Sequence, residues 1–408
     1  MTTSYPIRPI VEDEWSGLFS QLGLAFHDTH HRPEDAAVLR EVLELHRTLV
    51  AFDGTLQVGT AGALTMELTV PGAMAPAAGI TIVTVRPTHR RRGLLNALMT
   101  RQLDDLHESG EAIAMLWASE SAIYRRYGYA TAVERAMIDV ARHTSGLVAD
   151  APDSSHLRLE LADPAEARKE LAVVYDELRP TRPGYISRND GGWADTLHDP
   201  EHLREGATVT RAVFAYDGDR LLGSALYSVS PSGDGPASVR LRELHADDPA
   251  AYAALWRFVS TVDLTGRVTA ANVPVDAPLF RLLADPRRAN IQRADSLWVR
   301  LVRTGEAMAQ RRYAAPVDLV LDLVDDRCPW NAGTWRLSGD ETGATCERTT
   351  DPADVRLDTG TLASAYLGDS TLTAYLTTGR AEELRPGALR RLSTAMSWDP
   401  RPWTIHSF

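Results

Sequence analysis

The first 130 residues alternate between helix-like and strand-like hydrophobic patterns. Apolar residues between positions 14 and 26 recur at helical spacing, which predicts a helix there. A second helix is predicted over residues 94–107, and a short helical turn runs from Tyr124 to Gly128. Runs of apolar and β-branched residues predict strands, with Asp53-Gly54 as a hairpin turn after the first. These strands are residues 49–52, 57–70, 79–85 and 111–117.

A weaker copy of this order follows and indicates a duplicated α/β unit. It comprises strands at 213–216, 221–229, 238–244 and 267–271, with a helix at 250–262 before the last. The final hundred residues differ, because short strands dominate there. These strands are predicted at 317–324, 333–337, 342–347 and 355–358, followed by a helix at 359–367.

Composition narrows the classes of function. A chain of 408 residues suggests two or three domains, and its net charge of −12 argues against nucleic acid and favours cationic substrates. We see no signal peptide and no apolar run of about 18 residues, so we expect a cytoplasmic protein without a membrane partner. Cys328 and Cys346 are too few for a disulfide scaffold or a metal cluster.

One motif carries most of the candidate chemistry. The strand ending at Val85 leads through Pro87 to Arg90-Arg91-Arg92-Gly93, directly before a predicted helix. Arginines, free N–H groups and the helix dipole would converge on one anion, and Gly93 would permit close approach. A solvated charge run is the alternative, but the surrounding strand, proline, glycine and helix favour a pyrophosphate site.

Two other segments point away from ligand binding. In the second copy the corresponding turn reads Ala246-Asp247-Asp248-Pro249, which would repel a pyrophosphate. We therefore expect that unit to be structural. His27, His30 and His31 are close in sequence, but without a nearby cysteine a solvated loop is favoured and no metal is expected.

The motif resembles a known signature. The Val-x-Val-x-Pro-x-x-Arg-Arg-x-Gly stretch from Val83 to Gly93 is similar to the acetyl-CoA signature of GNAT-type acetyltransferases, although Leu95 replaces the usual small residue. Residues 79–130 as a whole resemble the enhanced intracellular survival (Eis) family of actinobacterial acetyltransferases. The further strings that carry this likeness are Ala118-Ser119-Glu120, Ile123-Tyr124 and Tyr127-Gly128-Tyr129.

The resemblance implies an α/β (α+β) architecture of three parts. These are an active GNAT domain over residues 1–145, a degenerate GNAT domain over 146–302 and a sterol-carrier-protein-like domain over 303–408. It also implies acetyl-CoA as co-substrate, no metal, and assembly as a homohexamer.

The resemblance implies a set of coenzyme-binding positions as well. The thioester would lie along a strand, the pyrophosphate would bind at the following loop and helix, and two residues of the next strand would line the groove. In that order the positions are Val83, Thr84 and Val85; Arg91, Arg92, Gly93, Leu94, Leu95 and Asn96; and Ser119 and Glu120.

The resemblance also implies two catalytic roles. Tyr124 matches the family's general acid, and the carboxylate of Phe408, the last residue, matches its general base. For both residues the alternative is simple packing, which we favour for Tyr127 and Tyr129. The tail is apolar for a chain end, but Ser407 stands where the family often has an acid.

Asp28 matches an acidic residue of the family's substrate pocket, where it would bind an ammonium group. An exposed loop acid is an equally good interpretation. We therefore expect an enzyme that acetylates amines of aminoglycosides or polyamines, small polycationic acceptors, by direct attack of the amine on the thioester. Two alternatives stay open: acetylation of lysines in proteins or peptides, and a non-catalytic lipid-binding scaffold.

Overall fold

The computed structural model describes residues 5–27, 32–233 and 235–408. The N-terminal third contains four helices and seven strands among these residues. The helices are α1 Trp15–Phe26, α2 Pro33–Val42, α3 Leu94–Glu108 and α4 Ser121–Tyr124. The strands are β1 Ile7–Pro9, β2 Thr48–Asp53, β3 Leu56–Val70, β4 Ala73–Val85, β5 Ile113–Trp117, β6 Ala130–Thr131 and β7 Glu134–Ala141.

The central and C-terminal parts follow. The central strands are β8 Arg158–Ala162, β9 Arg211–Asp217, β10 Arg220–Ser232, β11 Gly235–Ala246, β12 Thr265–Pro274, β13 Gln292–Asp295 and β14 Leu297–Leu301. The central helices are α5 Arg168–Leu178, α6 Asp190–Leu197, α7 Pro249–Thr261 and α8 Leu279–Leu282. The last part has strands β15 Val317–Val324, β16 Gly333–Gly339, β17 Ala344–Arg348, β18 Val355–Asp358 and β19 Ala381–Glu383, and helices α9 Thr304–Gln310, α10 Thr359–Ser364 and α11 Ala388–Met396.

Two seven-stranded sheets share one topology, as the duplicated sequence pattern predicts. The first has the order β1-β2-β3-β4-β5-β14-β6, and the second, read in the same direction, is β8-β9-β10-β11-β12-β7-β13. Each contains one parallel pair, β4 with β5 or β11 with β12. The two sheets therefore exchange a strand: β7 completes the second sheet, and β14 completes the first. Strand β7 lies within the predicted first domain, residues 1–145, but pairs in the second sheet. Strand β14 lies within the predicted second domain, residues 146–302, but pairs in the first. The boundaries at 145 and 302 remain predictions.

The two strands of the first parallel pair separate early. Only Ala78 with Ala114 and Gly79 with Met115 are paired, after which β4 and β5 diverge. Beyond Gly79 the edge of β4 that faces β5 has no strand partner, so its peptide groups are available to a ligand. Ala78 and Ile80 face α3 on one side of the sheet, whereas Gly79 faces the opposite side.

The third part of the chain is a five-stranded sheet, β17-β16-β15-β18-β19, which packs against the first sheet in one continuous core. A buried ion pair joins the two. Arg300 of β14 donates from Nη2 to both carboxylate oxygens of Asp325, at 2.8 and 2.7 Å, and from Nη1 to Thr359 Oγ1 at 2.8 Å. Such a pair is costly to break, because either partner alone would be an unpaired buried charge.

The C-terminal tail leaves this third domain and runs along the second. The N–H of Trp403 donates to the carbonyl of Pro183 at 2.8 Å, and its indole donates to Asn272 Oδ1 at 2.8 Å. Asn272 lies on β12 past the point where that strand pairs with β11. Its side chain donates in turn to the carbonyl of Thr404 at 2.9 Å. The tail is therefore held beside the open end of the second sheet.

Within the described part of the chain, no helix combines the length and the apolar character that crossing a membrane requires.

Candidate active site

A bulge in β4 shapes the space between the separated strands. The register with β3 passes from Thr81 opposite Gly62 to Thr84 opposite Thr60, so two residues, Ile82 and Val83, face one on β3. Ile82 has a φ of 46°, an unusual value for a β-branched residue. The hydroxyl of Thr60 donates to the Ile82 carbonyl at 2.5 Å and lies 2.7 Å from the Thr84 hydroxyl. These contacts hold the bulge in place.

The loop after β4 delivers the chain to the start of α3. Gly93, with a φ of 83°, is the residue that caps this helix. The left-handed conformation is accessible to glycine at little cost, and the turn directs the first free N–H groups of α3 back toward β4. His89 connects this loop to the end of β2, because its Nε2 lies 3.1 Å from Asp53 Oδ2.

A cavity of about 810 Å³ opens between the bulge, this loop and the segment after β5. Its wall contains most of the residues predicted to bind the coenzyme. Those are Val83, Thr84, Val85, Arg91, Gly93, Leu94, Leu95, Asn96, Ser119 and Glu120. Tyr124 lines the same cavity. The structure therefore brings together nearly the whole predicted set in one groove.

The charge of this cavity is strongly positive. Four arginines line it, Arg90, Arg91, Arg126 and Arg327, against one carboxylate, Glu120. None of the four forms an ion pair with a carboxylate of a described residue, although most arginines of the acidic chain do. Unpaired cations beside a helix N-terminus suit a ligand that carries several phosphates.

Tyr124 is the acid–base candidate in this cavity. The residue is 5% exposed. Burial raises the pKa of Tyr124, and the charge of Glu120 acts in the same direction. The phenol therefore keeps its proton at neutral pH, as a proton donor requires.

Phe408 lies on the other face of β4. Its ring packs, as Met66 and Ile82 do, against the hydrophobic cluster between α1 and the first sheet. One ring carbon is 3.0 Å from the position that a Cβ on Gly79 would occupy. Gly79 is the last residue of β4 paired with β5. The indole of Trp117, at the end of β5, donates to the carbonyl of His406 at 3.0 Å. Phe408 therefore lies at the point where the two strands part.

A second cavity, of about 590 Å³, lies beside this tail, between Trp117 and the second sheet. Glu243 lines it but is engaged by Arg188 at 2.7 Å and His245 at 3.0 Å. Asp195 also lines it, and no described side chain pairs with its carboxylate. Burial raises the pKa of Asp195. The remaining charged lining residues are Arg135, Arg240 and Arg242.

Comparison with known proteins agrees with this geometry. Residues 6–132 match a family described as acetyltransferase (GNAT) domain, residues 184–303 a second family with that description, and residues 304–405 the sterol carrier protein domain. An uncharacterized N-acetyltransferase of Streptomyces avermitilis is 42% identical, with 100% of both chains aligned. N-acetyltransferase Eis of Mycobacterium tuberculosis is 32% identical over 97% of this chain and 98% of that protein.

The chain belongs to the Eis family of N-acetyltransferases. The crystal structure of Eis1 from Mycobacterium abscessus superimposes with a TM-score of 0.84 at 30% identity, covering 99% of this chain and 100% of that one. The predicted architecture, two GNAT domains followed by a sterol-carrier-like domain, is confirmed. Membership supports acetyl transfer to amines, and the GNAT fold implies acetyl-CoA as the donor.

The cavity of this Eis-family chain fits that donor. Its unpaired arginines and the first turn of α3 match the phosphates, and the unpaired edge of β4 matches the pantetheine arm. The second GNAT domain differs at the start of the corresponding helix. Asp248 accepts from the Ala251 N–H at 2.8 Å and so caps α7 with its own carboxylate, where an anion would otherwise bind.

Two of the predicted residues, Arg92 and Asp28, are not among the described residues that line the cavity. Arg92 does not line the cavity; its guanidinium donates instead to the Tyr5 hydroxyl at 2.8 Å. Asp28 lies outside the described residues, although Phe26 and His27 just before it line the coenzyme cavity. No cluster of three or more histidine, cysteine or acidic side chains suited to a metal occurs in the described ranges.

Sequence reasoning missed two cavity arginines of this Eis-family chain, Arg126 and Arg327. Arg90 was part of the predicted anion motif, although it was not among the positions implied by the resemblance. Arg126 follows Tyr124 by two residues, so its helical turn gave a weak signal. Arg327 comes from the third domain, about 230 residues after α3 begins. No pattern in the sequence connects it to the motif.

Proposed function

We propose that this protein transfers the acetyl group of acetyl-CoA to a primary amine of a small polycationic acceptor, of the aminoglycoside or polyamine type. The observation that carries the proposal is the split between β4 and β5. An arginine-rich cavity lies on its α3 side, and the chain's own C-terminus lies on its other side. Donor and acceptor could therefore meet across the split.

Acetyl-CoA supplies an activated thioester, so no nucleophilic residue of the protein is needed. The unpaired edge of β4 around Val83 offers N–H groups to orient the thioester carbonyl and to stabilise negative charge on its oxygen. The carboxylate of Phe408 takes a proton from the acceptor ammonium and so frees the neutral amine that attacks, and the phenol of Tyr124 gives its proton to the departing sulfur. These roles follow the family resemblance and the positions of the two residues on opposite sides of β4.

The choice of acceptor rests on charge. The net charge of −12 attracts cations, and the Asp195 carboxylate in the cavity beside the tail has no described partner. An ammonium of the acceptor, distant from the reacting amine, would pair with it. Burial raises the pKa of Asp195, so its charge is favoured by a bound cation and disfavoured in the empty cavity.

A second acceptor is favoured by the other charges of that cavity. Arg135, Arg240 and Arg242 line it together with Asp195. A lining of both signs suits a lysine within a peptide that also carries carboxylates. Acetylation of peptide lysines is therefore the alternative function. Homohexamer formation is likewise proposed on family resemblance alone, and the molar mass in solution would test it.

We expect Tyr124→Phe to lower kcat for acetyl transfer by about 10²–10⁴-fold, because the departing thiolate then lacks its proton donor. Acetyl-CoA affinity should be unchanged. The assay is initial-rate acetylation of a panel of aminoglycosides, polyamines and lysine peptides, with products identified by mass.

Tyr129→Phe is the matched control for this variant. The Tyr129 hydroxyl is buried without a partner among the described residues, so its removal should leave the rate unaltered. Equal rates in Tyr124→Phe and wild type would contradict the role of Tyr124. The absence of any acetylated product from the aminoglycosides and polyamines would contradict the proposed acceptor class, and products from the lysine peptides alone would favour the alternative.

A further inference from the structure

Arg327 belongs to the third domain but lines the coenzyme cavity of the first. Its guanidinium donates from Nη1 to Asn96 Oδ1 at 2.9 Å and from Nε to the carbonyl of Arg126 at 3.0 Å. It also lies 5.3 Å from the ring centre of Tyr127. Asn96 is in the first turn of α3, where the free N–H groups lie. Arg327 is therefore directed to the anion-binding end of the cavity.

The loop that carries Arg327 is held firmly. Asp325, two residues earlier, is buried in the ion pair with Arg300. Its Oδ1 also accepts the backbone N–H groups of Arg327 at 3.2 Å and Cys328 at 3.0 Å. Cys328 is fully buried in a hydrophobic cluster with Tyr124 and Tyr127 of the first domain. The backbone of Arg327 is thus fixed relative to the cavity.

The charge of Arg327 has no carboxylate to neutralise it among the described residues. A guanidinium has five N–H donors, of which the two contacts to Asn96 and Arg126 use two. The others remain for a ligand. If Arg327 served only to join the two domains, we would expect its guanidinium to pair with an acidic group, as that of Arg300 pairs with Asp325.

We propose that Arg327 binds a phosphate of coenzyme A, so that the third domain completes the coenzyme site of the first. This inference rests on the proposed use of the cavity for acetyl-CoA. It gives the third domain a role in donor binding that is independent of the C-terminal carboxylate.

The test is calorimetric titration of the full-length protein with coenzyme A and with dephospho-coenzyme A, which lacks the 3′-phosphate. Arg327→Gln keeps an N–H donor for Asn96 but removes the charge. We expect affinity for coenzyme A to fall about tenfold, since a charged hydrogen bond to phosphate is lost. The dependence of that affinity on salt concentration should also weaken. Arg327→Lys, which keeps the charge, should recover most of the loss.

Arg390→Gln is the control, because Arg390 is an exposed arginine of α11 that does not line the cavity. An equal loss with both ligands would assign Arg327 to the pyrophosphate, and a loss confined to coenzyme A would assign it to the 3′-phosphate. Unchanged affinity and salt dependence in Arg327→Gln, as in the control, would overturn the proposal. If wild type itself did not bind coenzyme A, the proposed function would fail as well.

Discussion

Ile82 and Gly79 shape the split between β4 and β5. The left-handed φ of Ile82 costs on the order of 1–3 kcal/mol, and the hydrogen bond from Thr60 helps to hold it. This bulge directs the end of β4 away from β5. Gly79, three residues earlier, allows the ring of Phe408 to lie directly on the strand. The strained backbone of Ile82 therefore shapes one face of the split, and the absence of a side chain at Gly79 makes room for Phe408 on the other.

Gly79→Ala tests the close approach at this strand. The new Cβ would lie 2.8 Å from Met66 Sδ and 3.0 Å from a ring carbon of Phe408, so Met66 must move and the ring must give way by a few tenths of an ångström. A displacement of about 1 Å in a catalytic group can lower the rate about a hundredfold, so this smaller shift should lower it by less. We expect kcat to fall about tenfold in steady-state assays while acetyl-CoA affinity stays the same.

Gly146→Ala is the control for this substitution, because its Cβ would enter open space. If the Gly79 and Gly146 variants turned over at the same rate, the position of Phe408 would not matter for catalysis.

The C-terminal tail acts as an element, although it is neither helix nor strand. Its contacts come from β5, β12 and the segment before α6, through Trp117, Asn272 and Pro183. His406 is buried near its end, with Nδ1 3.4 Å from Thr196 Oγ1. Arg188, Glu243 and the ring of Phe408 are the other groups that face it. Burial, reinforced by Arg188, lowers the pKa of His406 to about 3.

This pKa predicts an acid-sensitive tail. The unfolded chain takes up a proton at His406 below about pH 6.5, whereas the folded chain resists protonation until about pH 3. The contribution of His406 is therefore fully present above pH 6.5 and is lost as the pH falls toward 3. The slope for one group is at most about 1.4 kcal/mol per pH unit. Urea unfolding at pH 7.5 and 5.0 should show a smaller pH dependence in His406→Gln than in wild type.

His156→Gln is the matched control, because His156 is exposed. It should retain the wild-type pH dependence. An identical pH dependence in the His406 and His156 variants would show that the tail histidine is not the responsible group.

Periodicity predicted some long elements well, but it missed the helices α2, α5, α6, α9 and α11. The helix expected at 94–107 is Leu94–Glu108, and the strand expected at 57–70 is Leu56–Val70. Helix α2 was missed because four of its ten residues are charged and none is buried. The exchange of β7 and β14 was also missed, since pairing between distant strands depends on the whole sheet and leaves no local signal.

The site residues, too, were predicted only where the signal in the sequence was local. The motif from Val83 to Asn96 and the segment from Ser119 to Tyr124 were predicted because each is a continuous string on one turn or strand. Arg327 and Asp195 were not, since three-dimensional packing alone brings them to the cavities. The direction of the Arg92 side chain depends on Tyr5, about 87 residues earlier, and could not be read from the motif.

At the scale of the whole molecule, each domain supplies one part of the proposed site. The first forms the coenzyme cavity and the split in the sheet. The second closes its own helix N-terminus with Asp248 and uses the open end of its sheet to hold the tail. The third provides Phe408, whose ring lies against Gly79, and Arg327, which donates a hydrogen bond to Asn96. We therefore expect catalysis to require the intact chain.

The central claim is that the carboxylate of Phe408 is the general base, and the most direct test changes that group alone. Semisynthesis can join the same tail with either a free carboxylate or a carboxamide at Phe408, leaving the ring and its packing intact. We predict that the carboxamide lowers kcat/KM for the amine about 10²–10⁴-fold, with acetyl-CoA affinity unchanged. Equal rates for the two products would contradict the account and place the base elsewhere in the chain.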